Sequence, residues 1–558
     1  MSDATSDLIP RLAEGARTWG RAPVRHRIRV LAELGRAIFD EAEAWAERGN
    51  LAKGLGADDL EEWIVGPSPV LRTARVMKMA LERLDAGRPA VSPTSVGTRP
   101  DGRVSVRVFP EEILAQLSFL GIEVEQRMLE GETERSVLAR AGRAHHGPTE
   151  GGVSLILGAG NVSSIPPLDA LQRIYGEGSA ALVKLSPVNA WVKPHLERAF
   201  APLIREHMVA FVEGGPEEGA RLLEHPDITD AHITGSHHSH DAIVWGQGAE
   251  AEDRRHRNAP RFEKPMTSEL GNVSPVAIAP FDYSEAELAS LVDAVAGMVV
   301  NNASFNCNAA KMLVLAEQWA QRTTFLAALG RAFERIPTRL AYYPGAFERY
   351  DRLTAGRDGM KTFGARTETH LPWTLIEGLD AGAEDEPLFV TEPFCSILSV
   401  TTLPESEPDT FLESAARFMN ERLWGRLNAT VMVPDGFRRS TEGRELLDRT
   451  VSALRYGTVA INQWPAVAYA LGSPAWGGHP SATLADIQSG LGWVHNAWLL
   501  EGIEKTVMSA PLRMFPRPVW YPGASGGADI GRRLLELEAQ PSLLRMLRLG
   551  AAVLTRPD

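Results

Sequence analysis

The chain has 558 residues, a formal net charge of −13, and 44% hydrophobic and 23% charged residues. This length exceeds what a single hydrophobic core usually supports, so we expect two or more large domains. The composition excludes disordered, collagen-like and coiled-coil classes. The acidic balance disfavours nucleic acid as a partner, because phosphate binding needs a basic surface.

The two cysteines, Cys307 and Cys395, are too few for a disulfide framework, and neither stands at a zinc-like spacing. A local group of histidines between residues 232 and 240 has no acidic or thiol partner at a recognised ligand spacing, so we predict no metal site. No apolar run approaches the roughly 18 to 20 residues of a membrane-spanning helix. The first residues lack the basic and apolar regions of a secretory signal, and we expect a cytoplasmic enzyme.

Apolar periodicity predicts helices first and a parallel sheet afterwards. Residues 24–47 and 70–86 have helical spacing, and residues 104–108 alternate as in a strand. Short apolar strands then alternate with helices, which is typical of a parallel α/β sheet. The predicted strands are 152–157, 180–185 and 208–212, and the predicted helices are 167–175 and 190–206.

A second α/β section begins near Glu269, with predicted strands at 275–278, 311–315, 395–400 and 429–433. We therefore divide the chain into three parts. Residues 1–268 hold the N-terminal helices and a dinucleotide-binding domain, to which parts of 456–500 return. Residues 269–455 form a catalytic domain with a nucleophilic cysteine, and 456–558 form a closing segment with a helical tail. The tail, 528–554, either packs on protein or lies at a membrane surface, and the first is favoured.

Three side chains are candidates for chemistry, although each has an ordinary structural interpretation when it is taken alone. Cys307 lies on a loop among small and amide residues, where a thiolate can meet a substrate. Glu269 precedes a glycine turn and is free to point into a cleft. Asn161 follows a strand within a glycine-rich turn, where asparagine usually serves backbone geometry.

The candidates gain weight from a series of motifs that occur together in one order. The series is Gly160-Asn161, Lys184-Leu-Ser-Pro187, Ile233-Thr-Gly-Ser236, Glu269-Leu-Gly-Asn-Val-Ser-Pro275, Asn302-Ala-Ser-Phe-Asn-Cys-Asn-Ala309, Glu392-Pro-Phe-Cys-Ser396, Gly457-Thr-Val-Ala-Ile-Asn462, Trp476-Gly-Gly478 and Ser489-Gly-Leu-Gly492. In this series the sequence resembles the aldehyde dehydrogenase superfamily over most of residues 24–500.

The resemblance implies an α/β fold with two Rossmann-like domains and a small oligomerisation element. It also implies that Cys307 attacks an aldehyde, that Asn161 is an oxyanion donor, and that Glu269 activates water to hydrolyse a thioester. NAD or NADP would be the cofactor, and a homodimer or homotetramer is expected. The cofactor-binding residues carried over are Lys184, Ser186, Gly235, Ser236, Leu270, Glu392 and Phe394.

Several departures mark the chain as a divergent member. Ser304 and Phe305 replace the Gly-Gln that precedes the nucleophile in the family, and Pro187 stands where NAD-preferring members often carry a glutamate. Without that carboxylate, NADP is as open as NAD. Segment 104–150 and the tail after residue 505 match the family poorly.

Two other functions therefore stay open. One is an acyl-CoA reductase of the same superfamily, which uses coenzyme A, and the other is a catalytically silent scaffold. Retention of Glu269 favours hydrolysis. Segments rich in tryptophan and phenylalanine indicate an apolar aldehyde.

Overall fold

The structure, a computed structural model, describes residues 3–523 and 527–555. Its strands are β1 (Val96–Thr98), β2 (Val104–Phe109), β3 (Glu123–Met128), β4 (Val153–Leu157), β5 (Ala180–Lys184), β6 (Val209–Val212), β7 (Asp230–Gly235), β8 (Met266–Leu270), β9 (Pro275–Ile278), β10 (Met312–Ala316), β11 (Met360–Phe363), β12 (Trp373–Asp380), β13 (Ile397–Leu403), β14 (Asn428–Met432), β15 (Thr458–Ile461), β16 (Trp476–Gly477), β17 (Trp493–Val494) and β18 (Ile503–Ser509).

The α-helices surround two large sheets. They are α1 (Asp3–Arg21), α2 (Val24–Ala52), α3 (Glu61–Val65), α4 (Pro67–Asp85), α5 (Ile113–Ser118), α6 (Glu134–Arg140), α7 (Ile165–Leu171), α8 (Lys193–Ala199), α9 (Ala201–Arg205), α10 (Pro216–Leu223), α11 (His237–Val244), α12 (Ala249–His256), α13 (Glu285–Val300), α14 (Arg322–Arg335), α15 (Ala346–Thr354), α16 (Pro387–Val390), α17 (Pro408–Arg422), α18 (Asp435–Arg439), α19 (Thr441–Ala453), α20 (Pro465–Ala470), α21 (Gly527–Ala539) and α22 (Leu543–Thr555).

The smaller sheet has five parallel strands in the order β6-β5-β4-β7-β8. Strands β4 and β5 are buried at every position, which explains their continuous apolar sequences. Because all five strands run the same way, their carboxyl ends share one edge. Leu157, Lys184, Gly235 and Leu270 end four of the strands at that edge.

The larger sheet has eleven strands in the order β1-β2-β3-β18-β15-β14-β9-β10-β13-β12-β11. The seven strands from β18 to β12 are parallel. Antiparallel strands extend it at both edges, with β3 paired to β18 and β11 paired to β12. The N-terminal strands β1–β3 thus complete a sheet whose centre is built from residues far along the chain. The proposed domain boundaries at 268 and 455 stay a prediction.

Most predicted elements are present, with four differences. The helix predicted at 190–206 consists of a 3-10 turn, Pro187–Val192, and the separate helices α8 and α9. Helix α1, which was not predicted, precedes the first predicted helix. The helix predicted at 167–175 begins at Ile165 and ends in a π-helical turn, Gln172–Glu177. The tail predicted as one helix over 528–554 is wrong as a continuous element, because it consists of α21 and α22. Pro541 lies in the break, where its ring and its missing N–H oppose helix continuation. Over the part of the chain that is described, no helix has both the length and the apolar character needed to cross a membrane.

Buried ion pairs fasten α21 to α4. Glu538 of α21 pairs with Arg72 and with Arg75, at 3.1 Å for the second, and Arg72 also pairs with Glu111 at 2.6 Å. Glu538 is only 4% exposed. Although burial alone would raise it, the two arginines hold the pKa of Glu538 below its usual range. The C-terminal helices are therefore held against the N-terminal helical layer by charge as well as by apolar packing.

We expect Glu538→Gln to lower the free energy of unfolding by about 3 kcal/mol, because it leaves buried arginines without one of their carboxylate partners. Guanidinium denaturation followed by tryptophan fluorescence measures this change. Glu536→Gln, two residues away and half-buried, is the matched control and should change stability by less than about 0.5 kcal/mol. Equal losses in the two variants would contradict the importance of the ion pairs.

Candidate active site

Two cavities meet at the cysteine that the sequence singled out. The larger, of about 1290 Å³, lies at the carboxyl edge of the smaller sheet. Its lining includes all ten predicted site residues: Asn161, Lys184, Ser186, Gly235, Ser236, Glu269, Leu270, Cys307, Glu392 and Phe394. The second cavity, of about 550 Å³, shares Asn161, Glu269 and Cys307 with the first. The three predicted catalytic residues therefore lie together where the cavities join.

Asn161 is connected to the loop that carries the cysteine. Its side-chain amide donates a hydrogen bond to the Phe305 carbonyl at 2.9 Å, and its own carbonyl accepts from the Asn302 amide at 3.0 Å. An amide nitrogen carries two hydrogens, so the Asn161 side chain retains one for a further acceptor. The Cys307 carbonyl accepts from Ser274 Oγ at 2.9 Å and Asn428 Nδ2 at 3.2 Å, which fixes the backbone on the other side of the thiol.

The turn before Cys307 has an unusual backbone. Asn302, Ala303 and Ser304 have φ angles of 53°, 53° and 69°, in the left-handed region that residues with a side chain seldom adopt. Lys311 holds the end of this turn, since its Nζ donates to the Ser304 carbonyl at 2.7 Å and to Ser304 Oγ at 2.9 Å. The serine that replaces the glycine of the family is thus both strained and anchored.

A buried network from α3 and the chain after α14 holds the start of the same turn. The Asn302 N–H donates to Glu61 Oε2 at 2.9 Å, and Glu61 pairs with Arg339 through two contacts of 3.1 Å. Although burial would raise it, Arg339 lowers the pKa of Glu61 to about 2. The Tyr342 hydroxyl contacts both the Asn161 carbonyl, at 3.0 Å, and Asn302 Oδ1, at 2.9 Å.

Burial controls the protonation of the two reactive groups. Desolvation, assisted by the charge of Asp169, raises the pKa of Glu269 to about 8, although the Cys307 thiol and Trp476 both act to lower it. Desolvation also raises the pKa of Cys307 well above its usual value, and Glu269 and Glu392 add to the effect. One carboxyl oxygen of Glu269, Oε1, is buried without a hydrogen-bond partner. The site therefore holds a neutral thiol beside a carboxyl group that can exchange a proton near neutral pH.

The residues predicted to bind the adenosine half line the outer part of the larger cavity. Lys184 Nζ donates to the carbonyls of Gly214 and Gly215, at 2.8 and 3.2 Å. Ser236 caps α11, where its side chain accepts from the Ser239 N–H at 3.2 Å. A Cβ atom placed on Gly235 would meet only Ile233, at an ordinary 3.6 Å, so packing within the protein does not require a glycine there. A glycine at this position lets the backbone approach a ligand in the cavity closely, because no side chain lies between them.

Ser186 and Pro187 line the same cavity, beside Gly160. Arg261 and Lys264 add two cations to the lining of this cavity. Lys264 Nζ donates to the carbonyls of Leu223 and His225, and Arg261 lies 3.7 Å from Glu224. With proline at 187 and two cations in the cavity wall, the geometry leaves both NAD and NADP open.

The inner part of the larger cavity contains the other predicted cofactor residues. The Leu270 N–H donates to the Ser489 carbonyl at 3.0 Å, which joins the end of β8 to the closing segment. Phe394 has a φ of 43°, and its carbonyl accepts from Arg349 at 3.1 Å. Burial raises the pKa of Glu392 to about 7, against the opposing effect of Lys311.

A nicotinamide dinucleotide fits these residues. Glu392 Oε1 is buried without a hydrogen-bond partner and lines the cavity, so a ribose hydroxyl could donate to it. A side chain on Gly271 would collide with Glu392, at 2.0 Å from its Oε2, so this glycine makes room for the carboxyl group. Ser236 and the first residues of α11 line the same cavity, and a helix N-terminus suits a pyrophosphate group.

The histidines near residue 232 are not gathered into a metal site. His232 is buried in β7 and contacts Thr267 Oγ1 at 2.8 Å, and His240 is buried beside Asp241. His237 and His238 stack on each other at the start of α11. Within the described residues, no group of three or more potential ligands is placed to hold a metal ion. The other cysteine, Cys395, is fully buried.

Sequence reasoning missed several residues that shape the site: Glu61, Asp169, Arg339, Tyr342, Arg349 and Trp476. Arg349 donates to the carbonyls of Pro393 and Phe394, both at 3.1 Å, and so fixes the loop after Glu392. The sequence did contain a signal for Lys311. This lysine lies just before an apolar strand and four residues after the candidate nucleophile, and a lysine that is buried in such a place needs polar partners for its charge. Trp476 belongs to the Trp476-Gly-Gly478 motif, although no role was predicted for it, and the remaining residues lie in segments without a motif.

The fold resembles that of solved aldehyde dehydrogenases. An NAD-dependent aldehyde dehydrogenase from Sinorhizobium meliloti is 16% identical with a TM-score of 0.59, and covers 92% of this chain and 88% of its own. The NADP-dependent glyceraldehyde-3-phosphate dehydrogenase from Bacillus halodurans, solved with NADP, has 16% identity, a TM-score of 0.59, and coverage of 91% and 92%. Lactaldehyde dehydrogenase from Escherichia coli has 16% identity, a TM-score of 0.56, and coverage of 91% and 90%.

No family model and no curated protein sequence matches the chain. At identities this low, likeness to solved structures establishes the fold alone. The protein has the α/β fold of the aldehyde dehydrogenase superfamily, as the ordered motifs predicted. The predicted oligomerisation, and the roles of the individual site residues, stay predictions.

We expect Tyr342→Phe to lower the free energy of unfolding by about 1 to 3 kcal/mol, because the buried Asn161 carbonyl and Asn302 Oδ1, which share the single hydrogen of the hydroxyl, lose their donor. Urea denaturation measures the change. Tyr343→Phe is the control, since the Tyr343 ring stacks on Phe305 at 5.8 Å and that contact survives removal of the hydroxyl. A Tyr342 variant as stable as the control would show that the turn does not depend on this hydroxyl.

Proposed function

We propose that this protein oxidises an aldehyde to a carboxylic acid, with NAD or NADP as the oxidant and Cys307 as the nucleophile. The observation that carries the proposal is the junction of the two cavities. The Cys307 thiol, the Glu269 carboxyl and the Asn161 amide all face the place where a substrate in one cavity would meet a cofactor in the other. The similar solved proteins that are named as NAD- or NADP-dependent dehydrogenases support the same reaction class.

The first step joins the thiol to the aldehyde. In the proposed mechanism Glu269, in its ionised form, accepts the thiol proton as the sulfur attacks the carbonyl carbon. The aldehyde oxygen gains the negative charge of the broken π bond. The second hydrogen of the Asn161 amide and the Cys307 N–H donate to it, and each such donor contributes about 10²- to 10³-fold in rate.

The second step leaves an acyl group on Cys307. A nicotinamide bound in the larger cavity would supply the oxidising power by accepting the hydride from the carbon. Collapse of the oxyanion gives a thioester on the sulfur. Glu269 releases the thiol proton to solvent and, ionised again, accepts a proton from a water molecule as the water oxygen attacks the thioester. The Cys307 thiolate leaves and takes up the proton that Glu269 then holds. The products are the carboxylic acid and the free thiol.

We expect purified protein to reduce NAD or NADP in the presence of an aldehyde without coenzyme A. Cys307→Ala should abolish turnover, because no thioester can form. Glu269→Gln should reduce steady-state turnover by about 10²- to 10⁴-fold, because a neutral amide cannot act as a base. Absorbance of the reduced cofactor measures each rate, and Cys395→Ala is the matched control, with a thiol removed outside the site.

Two other results would replace the proposal. Turnover only when coenzyme A is added would identify an acyl-CoA reductase, in which the acyl group passes to a second thiol. Cofactor binding without turnover for any aldehyde, under both conditions, would favour a catalytically silent protein with this fold.

The pH profile offers an independent test. Because the pKa of Glu269 is raised to about 8, its carboxyl is protonated at lower pH and cannot act as a base. We expect kcat/KM to rise about tenfold per pH unit below pH 8 and then to level off, since this quantity reports ionisations of the free enzyme. The Glu269→Gln variant should lose this rise. A profile that is flat from pH 6 to 8 in the unaltered protein would contradict the assignment of Glu269 as the base.

A further inference from the structure

We propose that the smaller cavity binds the chain of the substrate, and that this substrate is an aldehyde with an uncharged, largely apolar chain. The inference rests on the proposed function for the identity of the reacting group. The cavity, of about 550 Å³, falls within the usual size range of small-molecule sites, and Cys307, Glu269 and Asn161 lie at its inner end. A chain in this cavity would therefore present its carbonyl carbon to the thiol.

The wall of the cavity is mainly aliphatic and aromatic. Leu549 and Val553 of α22 form one side, and Ile64, Val467 and Leu471 lie among the other lining residues. Trp464 and Trp476 also line it, and the indole nitrogen of Trp464 is already bonded to the Asn308 carbonyl at 2.6 Å. Such a surface stabilises a methylene chain by removing it from water.

The charged side chains in the wall are already paired. Apart from Glu269 at the inner end, the described lining contains Arg72, Arg517 and Glu538. Arg72 pairs with Glu538 and Glu111, and Arg517 lies 3.0 Å from Asp293. An anionic substrate tail would have to compete with these carboxylates. Two neutral polar atoms, Asn308 Oδ1 and Trp520 Nε1, lack partners and suit an uncharged group.

The mouth of the cavity is apolar as well. Five of the lining residues are large and hydrophobic, and between 45% and 78% of the surface of each is exposed to solvent. They come from α5, from the segments that follow α5 and β18, and from α22: Leu117, Leu120, Phe515, Leu547 and Leu554. A polar substrate would gain nothing from such an entrance. An apolar chain would be attracted to it and would cover part of the exposed surface on entry.

Helix α22 is the adjustable part of this wall. None of its described residues is fully buried, so substitutions on it cost little stability. Gly550 lines the cavity, and a Cβ atom built on it would meet nothing within 4 Å. A larger side chain can therefore be introduced into the cavity wall at this position without a collision at its Cβ atom.

The first experiment measures kcat/KM for straight-chain aldehydes from propanal to decanal, and for succinic semialdehyde. We expect kcat/KM to rise about three- to fourfold for each added methylene group until the cavity is filled, as expected for full burial of a methylene group. Succinic semialdehyde should fall below butanal, which has the same number of carbons and no charge. Equal values along the series, or a preference for the carboxylated aldehyde, would overturn the inference.

The second experiment places the chain in the cavity. Gly550→Phe should lower kcat/KM for decanal at least tenfold and leave that for propanal within about twofold. Gly436→Phe is the matched control, because Gly436 is exposed on α18 and a Cβ there also meets nothing within 4 Å. If Gly550→Phe leaves the profile along the series unchanged, the chain lies elsewhere and the inference is wrong.

A third measurement separates this inference from the proposed function. Quenching of tryptophan fluorescence by decan-1-ol and by butan-1-ol reports binding without any turnover. If only decan-1-ol binds tightly, and Gly550→Phe weakens its binding, the inference that the cavity binds an apolar chain is supported. A failure to oxidise any aldehyde would then count against the proposed function only. Equal, weak binding of both alcohols would overturn the inference whatever the catalytic result.

Discussion

The left-handed turn at residues 302–304 is the constraint on which the site depends. Three consecutive residues with side chains in this region cost of order 1 to 3 kcal/mol each, and such strain persists only where the surroundings fix it. Two of these contacts come from distant parts of the chain: Glu61 from the N-terminal helices and Tyr342 from the segment after α14. The third, Lys311, follows Ser304 by seven positions and directly precedes β10. The position of the thiol therefore depends on the packing of both large sheets against the N-terminal layer.

The same burial that fixes the turn determines the proton chemistry. Four ionisable groups lie together at the site: Glu269 and Lys311 are buried, and Cys307 and Glu392 are partly buried. Each has a pKa shifted toward its neutral form. Desolvation is the largest cause in all four. A thiolate in such a place is costly unless a base removes the proton during attack, and in the proposed mechanism Glu269 therefore acts at the first step as well as at the last.

The sequence contained enough information for the fold and for the predicted site residues, because both follow from local patterns. Buried parallel strands are continuously apolar, and the residues just after them, such as Asn161, Lys184 and Gly235, are brought to one edge by the direction of the strands alone. The ordered motifs then placed Cys307 and Glu269 in the same site. Pro541 also indicated a break in the C-terminal helix, so the prediction of one continuous helix over the tail was wrong.

The residues that support the site were not predictable by the same means. Glu61 binds a backbone N–H that lies 241 positions away, and the Tyr342 hydroxyl contacts Asn161 across 181 positions. In the sequence, Glu61 is one of two adjacent glutamates in a short helix, and nothing in its neighbourhood distinguishes it from a solvated residue. Only the packing shows that Arg339 and a strained backbone turn use this carboxylate.

The C-terminal helices connect these features to selectivity. A thiol at the junction of two cavities needs water to be limited on the substrate side, since an open site would solvate the carbonyl and weaken the donors that stabilise its oxyanion. Helices α21 and α22 line the smaller cavity, and the Glu538 ion pairs hold the first of them in place. The outer helix α22 contributes apolar side chains to the cavity wall, and none of its described residues is fully buried. Substitutions on α22 can therefore alter the wall of the smaller cavity without disturbing the turn at 302–304. Under the two proposals above, substrate choice is physically separated from the positioning of Cys307.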